Sequence, residues 1–94
     1  MTYTQELQEW CVKLSHKINE KVKEKGKINI GWFYLYSSSH HIDNLVLEHK
    51  EGQTMVTYTW HGDPRSFKII DLAFQFTAKD VARLADKILK DENS

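Results

Sequence analysis

Cysteine, glycine, charge of one sign and long apolar runs are all scarce in this chain, and each scarcity removes a class of protein. One cysteine, Cys11, among 94 residues excludes an intrachain disulfide and leads us to expect a reducing, cytoplasmic setting. The four glycines are scattered, so there is no glycine-rich phosphate loop, dinucleotide fingerprint or GxSxG elbow. HExxH and CxxC are also missing. Thirteen basic residues balance thirteen acidic ones. The chain therefore lacks the overall field that steers proteins to nucleic acid or anionic membrane, and it is no acidic mimic of nucleic acid. No run approaches the ~20 apolar residues that span a bilayer. The start, MTYTQELQEW, has no apolar stretch of the signal-peptide kind, so no membrane partner is expected.

What is present is an ordinary globular composition. Hydrophobic residues make up 40% and charged residues 28%, enough for a packed core without metals or disulfides. Residues 4–25 read as an amphipathic helix, because Leu7, Trp10, Cys11, Leu14, Ile18 and Val22 recur at intervals of three and four. Thr2 or Thr4 can cap its start and Gly26 its end. Cys11 falls on the apolar stripe, and its nearest histidine, His16, is on another face. Cys11 is thus a core residue rather than a nucleophile.

Residues 27–36 read as a first strand, with Ile28, Ile30, Trp32, Tyr34 and Tyr36 on the core side and Phe33 and Leu35 opposite. Gly31 within it suggests a bulge. Residues 42–61 read as a hairpin turning at Glu51-Gly52. That turn sets Leu47 against Val56, Leu45 against Tyr58 and Asp43 against Trp60 on one face. Glu48 then meets Met55, Val46 meets Thr57 and Asn44 meets Thr59 on the other. A turn at residues 61–65, with Gly62 and Pro64, leads to a fourth strand over 66–76 whose parity switches near Ile69-Ile70-Asp71. Thr77 and Asp80 approximate a capping box before a last helix buried through Val81, Leu84, Ala85 and Ile88.

The expected fold is α+β: a four-stranded antiparallel meander flanked by an N-terminal and a C-terminal helix, α-β-β-β-β-α, in one domain, with both helices on one face. The opposite face would carry Phe33, Leu35, Val46 and Met55, joined by Phe67 and Ile69, and that is too apolar for simple exposure. We therefore expect an interface there, to a protein partner or a second copy in a homodimer, with Tyr36, Trp60 and His61 as a second contact edge. An inhibitor, an immunity or anti-defence protein, or an adaptor would act this way. No enzyme activity or cofactor is expected.

Two alternatives stand beside it. Trp32, Phe33, Tyr34, Tyr36, Tyr58 and Trp60, interleaved with Lys27, Lys50 and Arg65, could stack single-stranded nucleic acid. The element order is similar to that of double-stranded RNA-binding domains, but the last helix begins Thr77-Ala78-Lys79-Asp80, with one lysine where those domains carry a cluster. Extending the hairpin register gathers His40, His41, Asp43, His61 and Asp63 at its open end. Those groups ligate divalent metals or perform acid–base chemistry.

Overall fold

The computed structural model describes residues 3–90, with side chains from Gln5 onward. The cap expected at Thr2 lies outside the described residues. Helix α1 (Tyr3–Lys25) leads through Gly26 into strands β1 (Lys27–Leu35), β2 (His40–Lys50), β3 (Gln53–Trp60) and β4 (Asp63–Lys68). A 3-10 turn (Ile69–Asp71), a single turn of helix α2 (Leu72–Gln75) and helix α3 (Ala78–Lys90) complete the chain. The strands form one antiparallel sheet in the order β1-β2-β3-β4. Among the described residues, no helix is long and apolar enough to cross a membrane.

The hairpin turns where expected. Glu51 and Gly52 have φ of 51° and 82°, the double left-handed conformation whose twist matches that of paired strands. Leu47 pairs with Val56, Glu48 with Met55 and Val46 with Thr57. Beyond Val46 the register slips: Asn44 enters the left-handed region at φ 55°, and Asp43 faces Thr59 instead of Trp60. Asparagine tolerates this backbone better than most residues, and an extra residue on one strand is a β-bulge. The Thr59 hydroxyl closes it by donating to the Asp43 carbonyl at 3.1 Å.

A second bulge corrects the reading of β1. Gly31 has φ 81°, and the register against β2 shifts on both sides of it. Each inserted residue reverses the side chains that follow. Ile28 is buried, as expected, but beyond Gly31 it is Phe33 and Leu35 that enter the core, at 2% and 6% exposure, whereas Trp32 and Tyr36 are exposed. Phe33 and Leu35 therefore do not stand on the far face. Phe67 and Ile69 are also buried in the core.

The fourth strand is shorter than expected. A second tight turn at His61-Gly62, both with positive φ, lets β4 begin at Asp63, and pairing ends at Lys68. The parity switch at Ile69 marks the 3-10 turn. Leu72 and Phe76, four apart, then follow a helical spacing and are both buried, whereas Phe74 is 72% exposed.

One core forms between the sheet and the helices. Ile18 and Val22 from α1 and Val81, Leu84 and Ile88 from α3 join Ile42, Leu45, Leu47 and Val56 from the sheet, all with no exposed surface. Burying each such side chain contributes about 1.5–3 kcal/mol. Trp10, expected on the α1 stripe, lies at its margin with 37% exposed. Tyr58, Phe67 and Phe76 pack edge-on or tilted, with centroids 5.6–6.3 Å apart. Lys21 crosses from α1 to the C-terminus of α3, where its Nζ donates to the Ile88 carbonyl at 2.6 Å. There it meets the negative end of the helix dipole.

Candidate functional site: the groove between strand β1 and helix α3

The outer edge of β1 is held by α3. Asp80 is fully buried, and its carboxylate accepts from the Tyr36 N–H at 3.0 Å, the Ser37 N–H at 3.3 Å and the Thr77 hydroxyl at 3.2 Å. One turn on, Arg83 Nη1 donates to the Tyr34 carbonyl at 2.6 Å and approaches Asp80 Oδ1 at 3.4 Å. Burial pushes the Asp80 carboxyl up, but the hydrogen bonds from Tyr36, Ser37 and Thr77 outweigh it and hold the group below the usual aspartate range. An edge strand normally exposes a row of unpaired backbone groups. From Tyr34 to Ser37 this one is closed by two side chains of α3.

Arg83 also organises aromatic rings. Its guanidinium carbon lies 4.8 Å from the Phe33 centroid and 4.4 Å from that of Tyr36, and Lys79 Nζ lies 5.0 Å from the latter. Tyr36 meets Tyr34 edge-on at 5.2 Å. Alongside runs an open groove of about 520 Å³, lined by Trp32, Tyr34, Arg83, Asp86, Lys87 and Lys90. Trp32 is 55% exposed beside it. Helix α3 presents four cations against two carboxylates, and one of those carboxylates, Asp80, is buried. The other, Asp86, meets Lys90 at 3.2 Å.

The remaining sequence-derived candidates are dispersed. His40, Trp60 and His61 do meet, with ring centroids 4.7–5.6 Å apart. His41 lies on the other face of β2, against Trp32 at 5.3 Å. Asp43 and Asp63 are exposed. Among the described residues, no three His, Cys, Asp or Glu side chains are placed to hold a metal ion together. Val46 and Met55 are half-buried on the far face, but their ladder neighbours are Asn29, Thr57, Glu48 and Lys68. Tyr36 turns to α3 rather than sharing an edge with Trp60 and His61. Of the cations expected near the aromatics, Lys50 pairs with Glu48 at 3.3 Å; among the described residues the cations that touch aromatic rings are Lys79 and Arg83. Cys11 is buried, which pushes its thiol up and away from thiolate chemistry.

Sequence reading missed the groove because α3 was judged by its first turn. The available signal was the spacing of Lys79, Arg83, Lys87 and Lys90 along the helix, at intervals of four, four and three, which sets them on one stripe.

The architecture defines an α+β protein with a four-stranded meander sheet and helices on one face. Comparison with protein-family models, curated proteins and solved structures finds no significant match.

Proposed function

We propose that this chain is a small non-enzymatic module that binds a protein partner through the groove between β1 and α3. The observation that carries the reading is the convergence of Trp32, Tyr34 and Arg83 on one open groove. Tryptophan, tyrosine and arginine are the residues most enriched where protein interfaces concentrate their binding energy. Arg83 is anchored there by its bonds to the Tyr34 carbonyl and to Asp80. A binding surface held this way loses little side-chain entropy on association. The inhibitor, immunity, anti-defence and adaptor classes all act by such contact. The proposal places the module in the cytoplasm, in keeping with its single buried thiol.

The contact surface differs from the one expected on the far face. With Phe33 and Leu35 in the core, the ladder neighbours of Val46 and Met55 on that face are polar, and the homodimer is left out of the proposal.

Selection of a random-peptide display library on the full chain tests this reading. Enriched peptides should lose at least roughly tenfold in affinity on Trp32→Ala or Tyr34→Ala, the signature of an anchor residue worth more than about 1.4 kcal/mol. Met55→Asp should leave them bound. Peptides that bind the wild type and the Trp32→Ala chain equally, or no enrichment at all, would count against the groove.

A further inference from the structure

The charge of the groove specifies its occupant. Resting on the protein-binding reading above, we propose that the groove takes an acidic segment of the partner, with carboxylates set along α3 and an apolar or aromatic side chain against Trp32 and Tyr34.

Lys79, Arg83, Lys87 and Lys90 form one stripe over roughly 16 Å of helix, at about 1.5 Å rise per residue. Among the described residues, Lys79 and Lys87 have no carboxylate within ion-pair distance. The negative charge of Asp80 is consumed by Tyr36, Ser37 and Thr77 and does not reach the surface. Among the described residues Arg83 spends only Nη1, and its other N–H donors keep the planar fork that suits carboxylates. The partner-facing field of α3 is thus positive on a molecule whose net charge is zero. A local patch of this kind steers and orients a charged partner without attracting anions elsewhere.

The same details disfavour nucleic acid. Stacking along a strand needs a run of bare aromatic faces, but the Tyr36 ring is taken by Lys79 and Arg83, which leaves Trp32, 55% exposed, to receive a single side chain. Asp86 stands at the groove itself, where it would repel a continuous phosphate backbone and is tolerated by discrete carboxylates that need not approach it. Backbone pairing along the closed part of β1 is also blocked, because α3 already occupies the Tyr34 carbonyl and the Tyr36 and Ser37 N–H groups. Recognition therefore runs through side chains.

The test uses a labelled synthetic peptide rich in Asp and Glu with a central Trp, its Asn/Gln counterpart, and an oligothymidine strand. Fluorescence anisotropy is read on the full chain and on Lys87→Glu/Lys90→Glu, whose fold is checked by its unfolding midpoint; both lysines are exposed. The acidic peptide should bind, weaken roughly tenfold as salt rises from about 0.1 M to 1 M, and be lost on charge reversal. Its Asn/Gln counterpart should bind at least roughly tenfold more weakly. Equal binding of the two peptides, or indifference to charge reversal, overturns the acidic occupant. If display selection nevertheless yields Trp32-dependent neutral peptides, the protein-binding reading survives that result. Trp32-dependent binding of oligothymidine with none of the acidic peptide overturns both in favour of nucleic acid.

Discussion

Asp80 shows how one side chain can set the shape of a site without touching its ligand. Its carboxylate has no exposed surface and satisfies two backbone N–H groups at the end of β1, the Thr77 hydroxyl and one nitrogen of Arg83. Hydrogen bonds to a charged group contribute about 1.5–3 kcal/mol. Asp80→Asn puts an amide donor against existing donors, and a loss of that size is expected from urea titration at neutral pH. The hydrogen bonds hold the folded pKa below that of an unfolded aspartate, about 3.9. The stabilisation is therefore complete above that value and disappears as the pH falls through it toward the folded value. The stability gap between wild type and Asp80→Asn should narrow steadily below about pH 4; a gap that stays constant into acid would mean that Asp80 acts only by packing. Gly31 is the second decisive residue. A Cβ there would meet no atom within 4 Å, so Gly31→Ala is opposed by the left-handed φ of 81° alone. The expected cost is about 1–2 kcal/mol, and Gly31→Asn should recover part of it in the same titration.

At the scale of the element, the hairpin was the most legible part of the chain. Alternation flanking Glu51-Gly52 was enough to set the pairing of Leu47 with Val56, because the side-chain period is two and one turn fixes it. Legibility ended at each bulge. Gly31 and Asn44 are readable as residues that tolerate positive φ, but alternation does not show whether a strand uses that tolerance, and one such use exchanged Phe33 and Leu35 for Trp32 on the outer side. The edge of β1 was opaque for another reason. Thr77 and Asp80, three apart and expected as a capping box, do meet side chain to side chain, but the carboxylate accepts from the backbone of Tyr36 and Ser37, more than forty residues away, and no spacing rule reports those bonds. The turn also carries a prediction. Glu51 sits at φ 51°, where asparagine is favoured. Glu51→Asn should stabilise by about 0.5–2 kcal/mol, and each kcal/mol raises Tm by about 4–8 °C for a domain of this size. Thermal unfolding followed by circular dichroism measures it, and an unchanged or lower Tm would place Glu51 in some other role.

Considered whole, the molecule is two layers with one sheet face covered and the other open. Lys21 ties the helical layer together from α1 to the last carbonyls of α3, which joins the wall of the groove to the N-terminal helix. The open face is more polar than the alternation implied, because the Gly31 bulge drew Phe33 and Leu35 inward. That arrangement makes opposite forecasts for two substitutions of the same kind. Met55 is half-buried between Glu48 on β2 and Lys68 on β4, and Met55→Asp should leave the chain folded within about 1 kcal/mol, as surface changes away from special features do. Phe33 is 2% exposed beneath the Arg83 guanidinium. Phe33→Asp loses an aromatic contact, leaves a void and buries a carboxylate, and should cost more than about 4 kcal/mol, close to the whole stability of a domain this small. Denaturant unfolding of the two variants side by side decides which register the first strand keeps. The uninterrupted alternation of residues 27–36 requires Met55 and Phe33 to share the open face and to tolerate aspartate alike, whereas the bulged strand requires one to be silent and the other to abolish folding.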